Sequence, residues 1–512
     1  MSLFKSGIIV ASFTFLSRIL GFIRDIFITS ALGTGALADA FNVAFRLPNF
    51  FRRIFAEGAF NSAFIPIFTG KIASEGIENA KIFAAKVLTL LLVTLIVFII
   101  ILELTLPILI NILAPGFTLN QDLERFNLSL ELSVITTPYL LFISLVSLFG
   151  GILNSIGKFS AFAFSPILLN ICIIITLCFS ADFMLTKAHT LAWGVFIAGI
   201  IQLIAIMISA KSANLLIKPI YPTPDKDTRK LFCNIIPAII SGSVVQINII
   251  IDQIIASFIP GAISTLSYAD RLHQLPLALI GISIGTILLP SLSKQLDQTK
   301  AIITQNRALE ISLLLSIPCA FALIILAKPI IMILFERNAF THIDTINTSN
   351  ALIAFALGLP AAIAIKIFTP CFFAHYDTKT PLKISLICIM TNTICSLLLI
   401  QPLKHVGIAL SGSISCWINA SLLGIILYKR NHFKPDMQLK QNTIKIIMTS
   451  LSIACVLIIL TYILKNFLII PGTLGIISLI AIITIGCLTY LTLVCFFRIF
   501  EMKTIKQYIT RK

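Results

Sequence analysis

Along most of this chain apolar residues do not alternate with polar ones. They run on for twenty or so positions and then stop at a short polar break. Runs of that length match the roughly 20 residues an α-helix needs to cross a hydrocarbon core about 30 Å thick, whereas barrel strands would show alternating segments of about 10 residues. Fourteen such segments are predicted, near 7–30, 37–66, 84–113, 132–155, 160–181, 188–209, 231–258, 263–291, 308–335, 348–373, 381–401, 406–428, 443–464 and 472–498. Pro and Gly inside several, notably the second and eighth, predict bent or broken helices, which a membrane protein tolerates where neighbouring groups take up the freed backbone. The expected class is an all-α polytopic membrane protein of about fourteen transmembrane helices.

The polar breaks carry orientation. Those after even-numbered segments are basic: Lys71 and Lys81, then Lys211, Lys218, Lys226, Arg229 and Lys230, then Lys294, Lys300 and Arg307, then Lys429, Arg430, Lys434, Lys440 and Lys445, then Arg498, Lys503, Lys506, Arg511 and Lys512. Breaks after odd segments are short or mixed; 31–36 is uncharged, 114–131 holds Asp122, Glu124 and Arg125, and 336–347 holds Glu336, Arg337 and Asp344. The excess of Lys and Arg in cytoplasmic loops then puts both termini in the cytoplasm. The first segment continues past Arg18 and Arg24 without a small-residue cleavage site, so it reads as a retained helix and not a signal peptide.

The chain also repeats itself. Asp25, Pro48, Pro66, Pro138 and Lys158 pair with Asp252, Pro276, Pro290, Pro360 and Lys379 at separations of 227, 228, 224, 222 and 221 residues, and Gly35-Ala-Leu and Ala38-Asp39 pair with Gly261-Ala-Ile and Ala269-Asp270. This colinearity predicts two pseudo-symmetric six-helix lobes plus two C-terminal helices. The divisions are 1–210, a cytoplasmic linker 211–230, 231–430, and 431–512 with the last two helices and a tail. An even helix count per lobe makes these parallel repeats about an axis along the membrane normal, the geometry of alternating-access transporters.

Composition agrees. The chain is 58% hydrophobic, 12% charged, and has a mean hydropathy of +1.03. Its net charge of +17 reflects topology and calls for no nucleic-acid partner. The eleven cysteines sit mostly in apolar runs without CxxC spacing and read as small hydrophobes, with no metal site among them. Phosphate-binding, zinc-protease and serine-hydrolase motifs are missing, so the chemistry expected is transport without an ATP site or cofactor. The energy would come from Na⁺ or H⁺ coupling, the membrane potential or the substrate gradient.

What stands out is charge inside apolar segments, where it costs several kcal/mol. Between Ser17 and Pro66 lie Arg18, Arg24, Asp25, Asp39, Arg46, Arg52, Arg53 and Glu57. Arg24 either faces an anionic ligand or pairs with Asp25 or Asp39. Arg52 faces a cavity with Asn49 or anchors at the cytoplasmic boundary, and Arg53, with Glu57 four residues on, reads as the anchor. Asp270-Arg271 is a ligand site or a local ion pair, and Lys366 either faces a ligand or snorkels. Asp252 pairs across helices or binds a proton or Na⁺. Several arginines in a low-dielectric cavity suit phosphate or diphosphate, which guanidinium holds in bidentate fashion.

The stretches SRILGFIRD, ADAFNVAFRLPNFFRRIFAEGAFNSAFIPIF and YADRLHQLPLALIGISIGTILLPSLSK resemble the bacterial lipid II flippase family MurJ, also called MviN, of the multidrug/oligosaccharidyl-lipid/polysaccharide exporter superfamily. The resemblance covers essentially the whole chain. It implies movement of lipid II, the undecaprenyl-diphosphate-linked disaccharide-pentapeptide, from inner to outer leaflet of the cytoplasmic (inner) membrane for peptidoglycan synthesis. The family's cavity arginines match Arg24, Arg52 and Arg271, with Arg18 in the same motif; its helix-2 acid matches Asp39 and its helix-10 lysine Lys366. Asp39 is expected to order the arginines, and the last two helices to form a groove for the prenyl tail. A family cation site would fall around Asp252, Asp377 and Thr393. Gln274 departs from the pattern, standing where many relatives carry Glu. Besides lipid II and membrane lipids, the implied partner is the cell-wall synthesis machinery, with the chain a monomer. The rival readings are a flippase of another polyprenyl-linked glycan, a cation-coupled drug antiporter, which predicts twelve helices and acidic cavity residues, and a membrane enzyme, which needs an outer-face carboxylate or His cluster. A non-catalytic scaffold would leave the buried cations without a purpose.

Overall fold

The structure is a computed structural model that describes residues 3–52, 60–179, 184–221, 226–282, 298–469 and 472–499. Arg53, Glu57, Pro290 and Lys294 fall outside them. Helix is the one regular element among the described residues: α1 (Leu3–Leu32), α2 (Ala36–Phe51), α3 (Phe60–Leu113), α4 (Pro115–Leu119), α5 (Leu123–Thr136), α6 (Tyr139–Ser155), α7 (Ser160–Phe179), α8 (Lys187–Ser212), α9 (Lys226–Ala256), α10 (Ala262–Pro276) running into a π-helical turn (Leu277–Ile282), α11 (Gln298–Phe335), α12 (His342–Ala374), α13 (Lys379–Lys429), α14 (Met437–Ile463), α15 (Lys465–Ile469) and α16 (Thr473–Phe496). Each of the fourteen segments expected from the apolar runs falls mainly on one or two of these helices over its described residues. Among the described residues, nine helical stretches are long and apolar enough to cross a membrane. Outward faces carry residues such as Leu104, Leu398 and Ile108, each more than 60% exposed, a surface suited to lipid and not to water. The chain is a multi-pass, all-α membrane protein.

Three features differ from the sequence expectation. The break expected at 67–83 is a kink within α3 at Gly76, whose φ of 85° suits glycine, and that near 402–405 is a kink within α13 at Lys404, two residues after Pro402. The stretch 114–131 is not a mixed loop but largely α4 and α5, and Arg125 within it is sealed from solvent. The fourth expected segment, 132–155, falls on two helices, α5 and α6, broken where Pro138 removes a backbone donor.

By packing, the chain forms two compact units, Met1–Ser264 with Asn338–Phe340, and Thr265–Arg337 with Thr341–Lys512. This division lies downstream of the 211–230 linker because the segment after α9 is bonded into the first unit. Gly116 N donates to Ser257 Oγ at 2.9 Å, Asn120 Nδ2 donates to the Phe258 carbonyl at 3.0 Å, and Gly261 and Ser264 bond to Asp39. In the first unit α2 buries Ala38, Ala40 and Ala44, small residues that admit neighbouring helices closely. Gly33, at φ +61°, packs so tightly on the Ala339 carbonyl that an added Cβ would lie 2.3 Å from its oxygen. In the second unit α11, α12, α13 and α14 share a core of Ala361, Ile367, Phe368, Phe372, Leu423 and Leu439. The last two long helices pack on α11 through Leu326, Ile453, Leu457 and Ile482.

Candidate functional site

On α1, Ser17, Gly21 and Arg24 recur at intervals of four and three residues, so they share one face, and that face meets α7. Gly21 presents no side chain there, and Asn170 of α7 fills the space, its Nδ2 about 3.4 Å from where a Cβ would stand. Asn170 then does two jobs. Its Nδ2 donates to the Ser17 carbonyl at 3.0 Å, and its Oδ1 accepts from Arg24 Nη1 at 2.9 Å. The same guanidinium donates to Asp25 Oδ1 through Nη2 at 2.7 Å and Nε at 3.1 Å. Arg24 and Asp25 are both buried, at 9% and 8% exposure, so this cation is neutralised where it sits. Arg18, two turns earlier on α1, is exposed. Asn170 was not foreseen, although an amide in the middle of the run 160–179 is a legible signal.

Past Pro48, Asn49 orients Arg52: its Oδ1 accepts from Arg52 Nε at 2.9 Å and Nη2 at 2.8 Å, leaving the pair half-buried at the end of α2. Arg46, one turn before Asn49, donates to Gln253 Oε1 on α9 at 2.6 Å.

The expected role of Asp39 is corrected. Its carboxylate does not order Arg24 or Arg52; it caps α10. Oδ2 accepts from Gly261 N at 2.7 Å, and Oδ1 accepts from Ser264 N at 2.9 Å and Ser264 Oγ at 2.8 Å. The free N–H groups at a helix start, with the positive end of its dipole, are a natural seat for a carboxylate. The cation paired with it is Arg125, whose Nη1 is 3.4 Å from Oδ2. Ordinary reading hid this contact, because Arg125 lies in a hydrophilic stretch 86 residues from its partner.

In the second unit, Arg271 on α10 and Lys366 on α12 are exposed. The stem of Lys366 runs against Gly281 of the π-helical turn, where a Cβ would lie 3.3 Å from its Cγ. Gln274 donates to Asp270 Oδ2, with His273 Nδ1 3.7 Å from Asp270 Oδ1, so Gln274 engages the Asp270 carboxylate.

The three residues expected at a cation site are placed as follows. Asp252, half-buried on α9, accepts from Asn248 Nδ2 at 3.5 Å. Asp377 lies in the turn between α12 and α13, accepting from Thr380 Oγ1 at 2.6 Å, Arg430 Nη1 at 2.6 Å and Thr380 N at 2.9 Å. The Thr380 hydroxyl, then Arg430, hold its carboxyl well below the usual range. Thr393 donates to the Ile389 carbonyl within α13 at 2.8 Å. It sits about 20 Å along the helix from the end that Asp377 caps, at 1.5 Å per residue. Asp377 and Thr393 therefore cannot ligate one ion, and no group of three metal-ligating side chains occurs among the described residues. That pairing is a correction.

The geometry is that of a helical membrane protein with arginines held by side chains in its first unit. Comparison with known proteins decides its kinship: the family profile described as lipid II flippase MurJ matches residues 28–493. The chain belongs to the MurJ family. It is 48% identical over 463 residues to a probable lipid II flippase MurJ of Rickettsia prowazekii, covering 90% of each chain. To the probable lipid II flippase MurJ of Rhizobium tropici it is 40% identical over 469 residues, covering 90% of this chain and 88% of the other. The solved structure of a lipid II flippase MurJ in an inward closed conformation superposes with a TM-score of 0.79 at 29% identity, covering 96% of this chain and 99% of that one. An inward-facing MATE-family multidrug transporter of the MOP superfamily has a TM-score of 0.66 at 12% identity, a likeness of fold, over 85% of this chain and 99% of that one.

Proposed function

We propose that this chain moves lipid II, the undecaprenyl-diphosphate-linked peptidoglycan precursor, from the inner to the outer leaflet of the bacterial cytoplasmic membrane by alternating access, as a transporter and not an enzyme. The observation that carries this is MurJ membership over most of the length, at 48% identity to a probable lipid II flippase. Buried and half-buried arginines are the feature of the site that supports it, because a diphosphate is a ligand for which a membrane segment retains guanidinium groups. Arg24, Arg52 and Arg271 bind the diphosphate, with Arg18 and Lys366 adding positive charge. Asn49 sets Arg52, and Asn170 sets Arg24. Both termini are cytoplasmic, which the basic loops support.

The test is complementation in a cell depleted of its own lipid II flippase, with outer-leaflet lipid II measured directly. Restored lipid II is expected, together with its loss on Arg24→Ala, Arg52→Ala or Arg271→Ala at normal membrane abundance. Activity retained in all three would overturn the diphosphate assignment. Growth failure with a well-inserted parent protein would point to another polyprenyl-linked glycan as cargo.

A further inference from the structure

We propose that Arg125 is a positioning residue for the transport reaction, acting through Asp39 and the cap that Asp39 places on α10, the helix that carries Arg271; this rests on the reading of Arg271 as a diphosphate ligand. Arg125 is 1% exposed, and its guanidinium is fixed from three sides. Nε donates to Asp122 Oδ2 at 2.6 Å, Nη1 faces Asp39 Oδ2 at 3.4 Å, and the guanidinium carbon stands 4.5 Å over the Phe117 ring. Asp122 is in turn the N-cap of α5, its Oδ1 accepting from Arg125 N at 3.1 Å. The arginine is thus sandwiched between a partly exposed carboxylate on its own helix turn and a fully buried one on α2.

A plain surface staple between Asp122 and Arg125, three residues apart, would explain the first contact and nothing else. It would not bury the side chain, place it on an aromatic face, or bring it to a carboxylate 86 residues away. The electrostatics explain all three. Asp39 is 0% exposed, and three donors from the start of α10 surround it, but those donors are neutral. A sealed carboxylate needs a cation, and Arg125 supplies it. Arginine suits the place better than lysine, because one planar fork reaches two carboxylates in different directions while its face rests on Phe117. Arg125 therefore fixes where the Asp39 carboxylate points, and through it the cap on α10.

The experiment is a double-mutant cycle on the full chain, reading thermal unfolding in detergent and outer-leaflet lipid II in the complementation strain. Arg125→Met is expected to cut transport roughly tenfold or more, since small displacements of a positioned group cost on that order. Arg125→Lys is expected to restore part of it. Arg125→Met combined with Asp39→Asn removes both charges and should unfold close to Asp39→Asn alone, so that the two changes are strongly non-additive. Additive melting shifts would overturn the proposal, as would failure of the charge-neutral double variant to accumulate, since the arginine would then matter only as packing. Full transport by Asp39→Asn alone would overturn it differently, by removing Asp39 from the machinery while leaving the charge coupling measurable.

Discussion

A guanidinium that already holds a carboxylate takes a phosphate only by exchange. Arg24 donates twice to Asp25 and once to Asn170, so a diphosphate arriving there competes with Asp25 for the same N–H groups. That competition keeps binding reversible, which a carrier needs, because tight ground-state binding slows release without speeding the step that follows. Asp25→Asn is therefore expected to tighten lipid II binding and slow its turnover, while Asn170→Ala loosens Arg24 and weakens binding. Binding by native mass spectrometry beside a flipping assay checks both, and equal affinity in parent and Asp25→Asn would mean that Arg24 never exchanges partners. At this scale the sequence was readable only where partners are neighbours. Asp25 beside Arg24, and Asn49 one turn from Arg52, are visible in the order of letters. Arg125 was not, because its charge sits in a stretch whose composition reads as loop, and its meaning comes from a carboxylate 86 residues away. Asp39 misled for the same reason: its expected partners were nearby arginines, whereas its observed ones are Gly261, Ser264 and Arg125.

Among the elements, the apolar runs marked the long helices of the described residues because hydrocarbon length leaves little choice of segment. Breaks between runs were less legible, since a kink at Gly76 or Lys404 and a true loop look alike in composition. The turn from α12 to α13 shows how such a junction is secured. Asp377 takes the Thr380 amide and hydroxyl, and Arg430 reaches back from the end of α13 to the same carboxylate and to Thr380 Oγ1 at 3.1 Å. His432 beside it stacks on His375 with ring centroids 3.7 Å apart, and burial followed by the neighbouring His375 and Arg430 lowers its pKa. Because the Asp377 carboxyl is depressed, its contribution is present in full above the unfolded carboxylate range, near pH 4, and is lost as pH falls below it. The parent is expected to show a step of stability loss below about pH 4 that Asp377→Asn lacks, with the variant weaker by about 1 kcal/mol or less from pH 5 to 8, given that Arg430 is partly exposed. Parallel melts of the two proteins across pH check this, and superimposable curves would mean the clamp contributes nothing.

For the molecule as a whole, the recurrence of Asp and Pro positions at nearly constant separation was legible, as a property of the letters. The boundary between the compact units was not, because bonds from Ser257, Gly261 and Ser264 to distant residues set it. The proposed alternating-access cycle bears on energetics. A carrier that returns to its starting state moves none of its own charges on balance, so its arginines, however many, drop out of the net work. What remains is the charge on the cargo. An anionic diphosphate leaving a negative interior gains about 2.3 kcal/mol per uncompensated charge at 100 mV, a bias of about 50-fold between leaflets. In proteoliposomes carrying this chain and lipid II, an inside-negative potassium diffusion potential is expected to shift lipid II toward the outer leaflet by that order, without ATP. Removing the potential should return the distribution toward equality. A distribution indifferent to the potential would mean that cations cross with each lipid and cancel its charge, and the search for coupling would then move to carboxylates such as Asp252.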